Sequence, residues 1–261
     1  MLLASRADES GANEYFPRSG KTVVHGWGLA PDLFRLQNVN PRKIREELGI
    51  SESTPLIGTT TRVAPKKGQE TLIHALPSVV RKFPELKCVI LGGRYDVDQP
   101  ETDRLKKIAE ELGVQENAIF LGERDDTADI FAAYDVAVHL ADHDYLPFGV
   151  LECMALGKAC LCTGVGGIPE IISNGETGIL VDAGYPEKAG VELIRLIENP
   201  GLRDEIGSNA RKFVLERYDL DRLVVRVGKM YEDAIKGEIG EVYGEWGYCF
   251  DPPVIPPKGG W

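Results

Sequence analysis

The sequence predicts an α/β fold, a doubly wound parallel sheet with helices on both faces and extra helices at its C-terminal end. Three observations carry this prediction. From Pro55 onward, short continuous apolar runs alternate with segments whose apolar residues recur at helical spacing. The apolar runs lack in-and-out alternation, as strands buried on both faces do. The 261 residues are 43% hydrophobic and 27% charged, which suits a packed chain and is too apolar for disorder.

The elements follow in order. Residues 1–21 are polar, with no sustained period, and 22–25 form a short β-like run that leads to Gly26 and Gly28. Pro41 opens a helix that ends at Gly49. Residues 56–60 read as a strand, and 68–82 as a helix with Leu72, Ala75, Leu76, Val79 and Val80 on one face. A strand over 87–91 ends in Gly92-Gly93; a helix over 101–112 carries Leu105, Ile108 and Leu112. Strand 118–121, helix 126–134, strand 136–140 and helix 150–156 follow, the last stopped by Gly157. Then come strand 159–162, short helix 168–172, strand 178–181 and helix 186–197, with further helices near 201–216 and 219–236. This divides the chain into a leading segment (1–49), a Rossmann-like domain (50–216), a helix (217–236) and an arm (237–261). The arm holds Trp246, Tyr248, Phe250, Trp261 and four prolines, which break regular structure. It reads as a loose terminus or as an arm whose aromatics dock on a surface.

Charge and cysteines narrow the classes. With 30 Lys and Arg against 41 Asp and Glu, the net charge is −11, which argues against a nucleic-acid partner held by phosphate neutralisation. A local basic pocket for one small phosphate ligand stays open. No run approaches the roughly 20 apolar residues of a membrane span, and apolar Met1–Ala4 is followed at once by charge, too short for a signal peptide. The five cysteines are odd in number and lack C-x-x-C spacing, so neither a disulfide framework nor a zinc ribbon is indicated. Cys88 and Cys160 read as small buried residues. A reducing, cytoplasmic setting is the simplest expectation.

In doubly wound folds, ligands sit at the carboxyl ends of the strands, so the post-strand positions matter most. After the first strand, Arg62 and Lys67 stand beside a helix N-terminus, where exposed amides favour anions. Two cations there suit a diphosphate; alternatively they are solvated surface charges. After strand 136–140, Asp144 and Glu152 are eight positions apart, about 12 Å on a continuous helix. Pro147 and Gly149 imply a loop before Val150, so Asp144 folds back over the helix mouth and Glu152 lies in the first turn. Carboxylates so placed accept hydrogen bonds from sugar hydroxyls, although Glu152 alone also reads as a first-turn acid favoured by the helix dipole. The third site, Thr163-Gly164-Val165-Gly166-Gly167-Ile168-Pro169-Glu170, lets a ligand approach the backbone but lacks G-x-G-x-x-G spacing. Glu170 caps its helix or touches ligand.

Together these segments resemble the nucleotide-sugar-binding, C-terminal half of retaining glycosyltransferases of the GT-B fold, family 4 in particular. Arg62 with Lys67-Gly68 matches the family's Arg, four residues, Lys-Gly. Asp144-Tyr145-Leu146-Pro147-Phe148-Gly149-Val150-Leu151-Glu152-Cys153-Met154-Ala155-Leu156-Gly157 matches its acid, seven residues, acid motif. Gly166-Gly167-Ile168-Pro169-Glu170 matches G-G-x-x-E, and Asn174-Gly175-Glu176-Thr177-Gly178-Ile179-Leu180-Val181 matches N-G-x-x-G-x-L-V. The resemblance spans about residues 22–235, with four motifs in order.

The resemblance implies roles. Arg62 and Lys67 would bind the diphosphate of a UDP-, GDP- or ADP-sugar and stabilise the departing nucleotide. Glu152 would meet the ribose and Asp144 the donor sugar. The backbone at Phe148, Gly149 and Val150, together with Gly166 and Gly167, would meet phosphate or sugar oxygens. Asp144, Arg62 and Lys67 are thus the implied catalytic residues, with no metal and no cofactor besides the donor.

Three departures stand out. Asp144 replaces the usual Glu and is one methylene shorter. Cys153 replaces the usual Ala. His25-Gly26-Trp27-Gly28-Leu29-Ala30-Pro31-Asp32-Leu33-Phe34 resembles the interdomain segment, yet only 21 residues precede residue 22. Two such domains need about 300–400 residues, so the expectation is a fragment, or a chain whose acceptor domain comes from a partner. His25 then reads as a linker residue. The expected activity is glycosyl transfer with retention to an unknown acceptor; the alternative is a non-catalytic sugar-nucleotide-binding or interaction module. A metal-dependent transferase is a third reading from Asp142-His143-Asp144, but Asp96-Val97-Asp98 and Asp219-Leu220-Asp221 repeat that pattern.

Overall fold

The structure, a computed structural model, describes residues 2–3, 23–24, 28–29, 36–93 and 97–236. Six strands form one parallel sheet: β1 (Leu56–Thr59), β2 (Lys87–Leu91), β3 (Ala118–Gly122), β4 (Val136–His139), β5 (Ala159–Thr163) and β6 (Ile179–Val181). Their order is β3-β2-β1-β4-β5-β6, the doubly wound order whose direction reverses between β1 and β4. Ile57 of β1 pairs with Cys88 on one side and Val136 on the other, which fixes the register at the centre. A separate two-residue parallel pair joins Leu2–Leu3 to Val23–Val24.

Strand side chains alternate between two cores because successive residues point to opposite faces. Leu56, Val89, Ala137 and Cys160 face one core. It is closed by α1 (Pro41–Glu47), α4 (Thr127–Ala133), α5 (Phe148–Ala155), α6 (Ile168–Ile171) and part of α8 (Pro200–Arg217). Ile57, Cys88, Val136 and Leu161 face the other, closed by α2 (Gln69–Lys82), α3 (Gln99–Glu111) and α7 (Pro186–Glu198). Both faces are covered, so the strands read as unbroken apolar runs. The four described cysteines, Cys88, Cys153, Cys160 and Cys162, are free and buried.

The predicted fold class matches the sheet. The sequence boundary near residue 49 falls at the end of α1, a helix that packs into the domain core through buried Ile44. Leu29 is pinned at the junction of α8 and the last helix, α9 (Leu220–Lys236): its N–H donates to Tyr218 O at 2.7 Å, and Leu220 N–H donates to Leu29 O at 3.2 Å. No described helix is long and apolar enough to cross a membrane. His25 and the arm over 237–261 lie outside the described residues.

One helix start differs from the sequence reading and bears on the site. The stretch before Val150 is helical from Phe148, with Pro147 as its cap. Proline before a first turn is compatible with helix because it donates no N–H there. Glu152 is therefore the fifth helical residue, in the second turn, and the first turn holds no acid. The dipole explanation for an acid at this position weakens accordingly, because that effect fades beyond the first turn.

Candidate functional site

The crevice lies between the carboxyl ends of β1 and β4, where the loops leave in opposite directions. The β1 loop is held against the β4 loop by backbone contact. Lys66 adopts φ +65°, the only described non-glycine with positive φ, and its carbonyl accepts the Asp142 N–H at 3.0 Å. Such a conformation costs an L-residue about 1–2 kcal/mol, so the surrounding contacts must impose it. Gly68 caps α2 at φ +85°, and a Cβ there would sit 2.2 Å from the carbonyl carbon of Leu140. Only glycine lets the β1 loop close on β4 and aim Lys67 across the crevice.

Asp144 is the meeting point. Lys67 Nζ donates to its Oδ2 at 2.6 Å, with both side chains largely buried. The Tyr145 N–H donates to Oδ1 at 3.0 Å. His139, fully buried at the end of β4, places Nε2 3.2 Å from Oδ2. That ring nitrogen nonetheless lacks a hydrogen bond of good geometry, so the contact is close but off-axis. Nδ1 of His139 lies 3.1 Å from Thr60 Oγ1. Burial pushes the Asp144 carboxyl up, but His139 and Lys67 outweigh it and bring the pKa down to about 2. Asp144 is therefore an anion at any physiological pH.

The β5 loop locks the backbone beneath that carboxylate. Gly167 N–H donates to Asp144 O at 3.2 Å. Gly166, at φ +56°, leaves no room for a side chain, since a Cβ would fall 1.7 Å from the same carbonyl oxygen. Thr163 Oγ1 donates to Ala141 O at 2.6 Å.

The mouth of α5 closes the site from the other side. Phe148, Gly149 and Val150 form its first turn, where the aligned peptide units carry positive partial charge; the Val150 N–H donates back to Pro147 O at 3.2 Å. Gly149 lies directly on β1: an added Cβ would be 1.9 Å from Thr60 O. One turn further, Glu152 is mostly buried, and burial raises its pKa. Among the described residues no hydrogen bond or ion pair engages its carboxylate, which makes it an acceptor in want of donors.

The structure thus gathers Lys67, Gly166 and Gly167 around Asp144, with Gly149 joined to it through Thr60 and His139. Glu152 stands one turn below. Arg62 lies apart: its side chain is 66% exposed and pairs with Asp98 at 3.7 Å. Its backbone carbonyl is held by Gln69 Nε2 at 2.8 Å, and Gly92 packs on its Cα. The sequence reading missed His139 and Thr60. Their one available signal is position, since both stand at strand ends facing the switch point. Among the described residues no group of three or more His, Cys, Asp or Glu is arranged to hold a metal ion.

Sheet order, crevice and glycine-cleared helix mouth define a doubly wound α/β domain of the kind that binds ligands at its switch point. Residues 40–213 match the model of the glycosyl transferases group 1 family, and the chain belongs to that family. It is 27% identical over 196 residues to the N-acetyl-alpha-D-glucosaminyl L-malate synthase of Bacillus anthracis, covering 75% of this chain and 50% of that protein. It is 31% identical over 177 residues to a D-inositol 3-phosphate glycosyltransferase of Corynebacterium jeikeium, covering 65% and 42%. Among solved structures, a glycosyltransferase from Rickettsia africae superposes with TM-score 0.82 at 22% identity, covering 90% of this chain and 63% of that one. Anabaena HepE in complex with UDP and glucose superposes with TM-score 0.80 at 25% identity, covering 88% and 62%. The fold is thus the Rossmann-like fold of GT-B glycosyltransferase structures. The chain spans about half the length of the curated relatives it matches.

Proposed function

We propose that this chain carries the donor site of a retaining, family 4 glycosyltransferase that moves a sugar from a nucleoside diphosphate to an acceptor. The observation that carries the reading is Lys67 held 2.6 Å from Asp144 across the switch point, beside the mouth of α5. When the bond between the anomeric carbon and the diphosphate breaks, negative charge grows on the leaving phosphate. Lys67, Arg62 swinging in from its exposed position, and the positive partial charge of the backbone at Phe148, Gly149 and Val150 meet that charge. Glu152, mostly buried and without a hydrogen bond or ion pair among the described residues, receives the ribose hydroxyls, and Asp144 faces the transferred sugar.

The proposed reaction uses no metal. Support comes from Asp144, whose near neighbours Lys67 and His139 are nitrogen groups rather than further carboxylates. The donor is a UDP-, GDP- or ADP-sugar. The acceptor half belongs to a longer form of the chain or to a partner chain, consistent with the matched share of the relatives. Four buried free thiols fit a reducing, cytoplasmic setting.

Calorimetric titration with UDP, GDP and ADP tests the site. Lys67→Ala and Arg62→Ala are each expected to weaken the preferred diphosphate about tenfold, the order expected for a charged hydrogen bond. Unchanged affinity in both variants would overturn the assignment. A second reading, favoured by Asp144 standing where the resemblance expects Glu, is a binding module without turnover. Nucleotide binding with no sugar transfer or donor hydrolysis, even when an acceptor domain is supplied, would establish it.

A further inference from the structure

The reading above leaves one buried group unused. His139 is completely enclosed at the end of β4, a costly place for an imidazole unless both ring nitrogens find partners. Nδ1 has one in Thr60 Oγ1 at 3.1 Å. Nε2 has none in good geometry, yet lies 3.2 Å from the carboxylate oxygen that also holds Lys67. If that nitrogen carried a lone pair, it would face an anion at close range, which Coulomb repulsion disfavours. If it carries a proton, a small turn of Asp144 makes a charge-assisted hydrogen bond. Thr60 permits this arrangement, because its hydroxyl can donate to Nδ1.

The diphosphate reading creates a demand that this nitrogen meets. A diphosphate that draws Lys67 toward it competes with Asp144 for the ammonium that now stands 2.6 Å from Oδ2. Stripped of Lys67, a mostly buried carboxylate would be left with the Tyr145 N–H at 3.0 Å on Oδ1. We propose that His139 is a positioning residue for Asp144: with Nε2 protonated, it takes over Oδ2 when Lys67 turns to the diphosphate. The carboxylate then stays anchored at the switch point, facing the sugar, while the cation is released. The handover rests on the donor-site reading; the tautomer does not.

The same contacts tie the handover to the helix mouth. The Thr60 hydroxyl lies 3.1 Å from His139 Nδ1, and its carbonyl packs so close to Gly149 that an added Cβ would fall 1.9 Å from it.

Two measurements test this. Long-range nitrogen–proton NMR of the imidazoles, with His139 assigned from the spectrum of His139→Gln, reports which ring nitrogen is protonated. A proton on Nε2 is expected, and an Nδ1-protonated neutral ring would overturn the proposal whether or not the chain binds nucleotides. The second measurement compares UDP with UDP-glucose, and GDP with GDP-mannose, by calorimetry. His139→Leu is expected to remove about tenfold of the extra affinity that the sugar confers while leaving the diphosphate affinity within about twofold. His139→Gln, which keeps an amide donor near the Nε2 position, is expected to restore most of it; His139→Asn, too short to reach Asp144, is not. Thermal melting of each variant separates loss of fold from loss of positioning. Equal sugar increments in wild type, His139→Leu and His139→Gln would overturn the handover. If wild type binds no nucleotide or sugar nucleotide, the donor-site reading fails together with the handover, and the NMR result alone decides the tautomer.

Discussion

Glu152 shows how a single residue can be read in two directions. Burial raises its pKa, so the folded chain holds this proton more tightly than the unfolded chain does. Between the ordinary carboxyl value, about 4.3, and the raised one, the native state binds more protons, and stability falls as pH rises through that window. Glu152→Gln removes the charge and is expected to melt above wild type at neutral pH, with the difference closing in acid. Equal melting temperatures at neutral pH would mean that the carboxylate is not destabilising. The same ionised carboxylate is the proposed ribose acceptor, so Glu152→Ala should lower affinity for a nucleoside diphosphate more than for pyrophosphate. Calorimetry with both ligands checks it, and equal losses would count against a ribose contact. Gly149 supplies a steric counterpart. Its missing Cβ would lie 1.9 Å from Thr60 O, whereas one on Gly164 meets nothing within 4 Å. Gly149→Ala should therefore destabilise by about 1–3 kcal/mol, as overpacking does. Gly164→Ala should leave the denaturation midpoint unchanged, and equal midpoints for both variants would show that the α5 mouth can slide.

At the scale of elements, the sequence displayed some things and concealed others for physical reasons. The strand runs were legible because both faces of the sheet are buried. The mouth of α5 was not, because Pro147 and Gly149 signal a loop in isolation. In the fold, Pro147 caps the helix and Gly149 is small so that the helix can touch β1. His139 was hidden for the opposite reason: inside Val-Ala-Val-His-Leu it does not interrupt an apolar run, and only the sheet order reveals that it ends at the switch point. The Lys67–Asp144 contact joins residues far apart in sequence, yet both were marked by standing after strands. The start and stop of α1 were legible from Pro41 and Gly49, but its place in the core was not, since Ile44 is its only buried residue. Its hold is largely polar. Arg45 donates to Ser51 O, Thr54 O, Ala133 O and Asp135 Oδ2, and Arg124 grips Glu47 through two nitrogens. Ile44→Ala should cost about 2–5 kcal/mol, the usual range for emptying a buried aliphatic site. Urea denaturation measures it, and a loss well below that range would mean that the polar ties suffice to hold α1.

For the whole molecule the decisive contrast is between net charge and local charge. The chain carries −11 overall, while Lys66 and Lys67 stand together at the mouth of α2 and Arg62 leaves the same loop. A long polyanion senses the sum, since it must lie across many acidic residues as well as the cationic mouth. The proposed diphosphate would sense the crevice, where the largely buried Lys67 is less screened than a surface charge. The two ligand types should therefore separate cleanly. In about 0.1 M salt, where charges further apart than roughly 10 Å are screened, the preferred nucleoside diphosphate should still bind. Single- and double-stranded DNA and RNA of mixed sequence should show no binding under the same conditions. Raising the salt should weaken the diphosphate only modestly, because few cations take part. Fluorescence anisotropy with labelled oligonucleotides, run beside calorimetry with the nucleotide, makes the comparison. DNA or RNA binding that survives in Lys67→Ala would locate a polyanion surface elsewhere on the chain and would remove net charge as the guide to its partners.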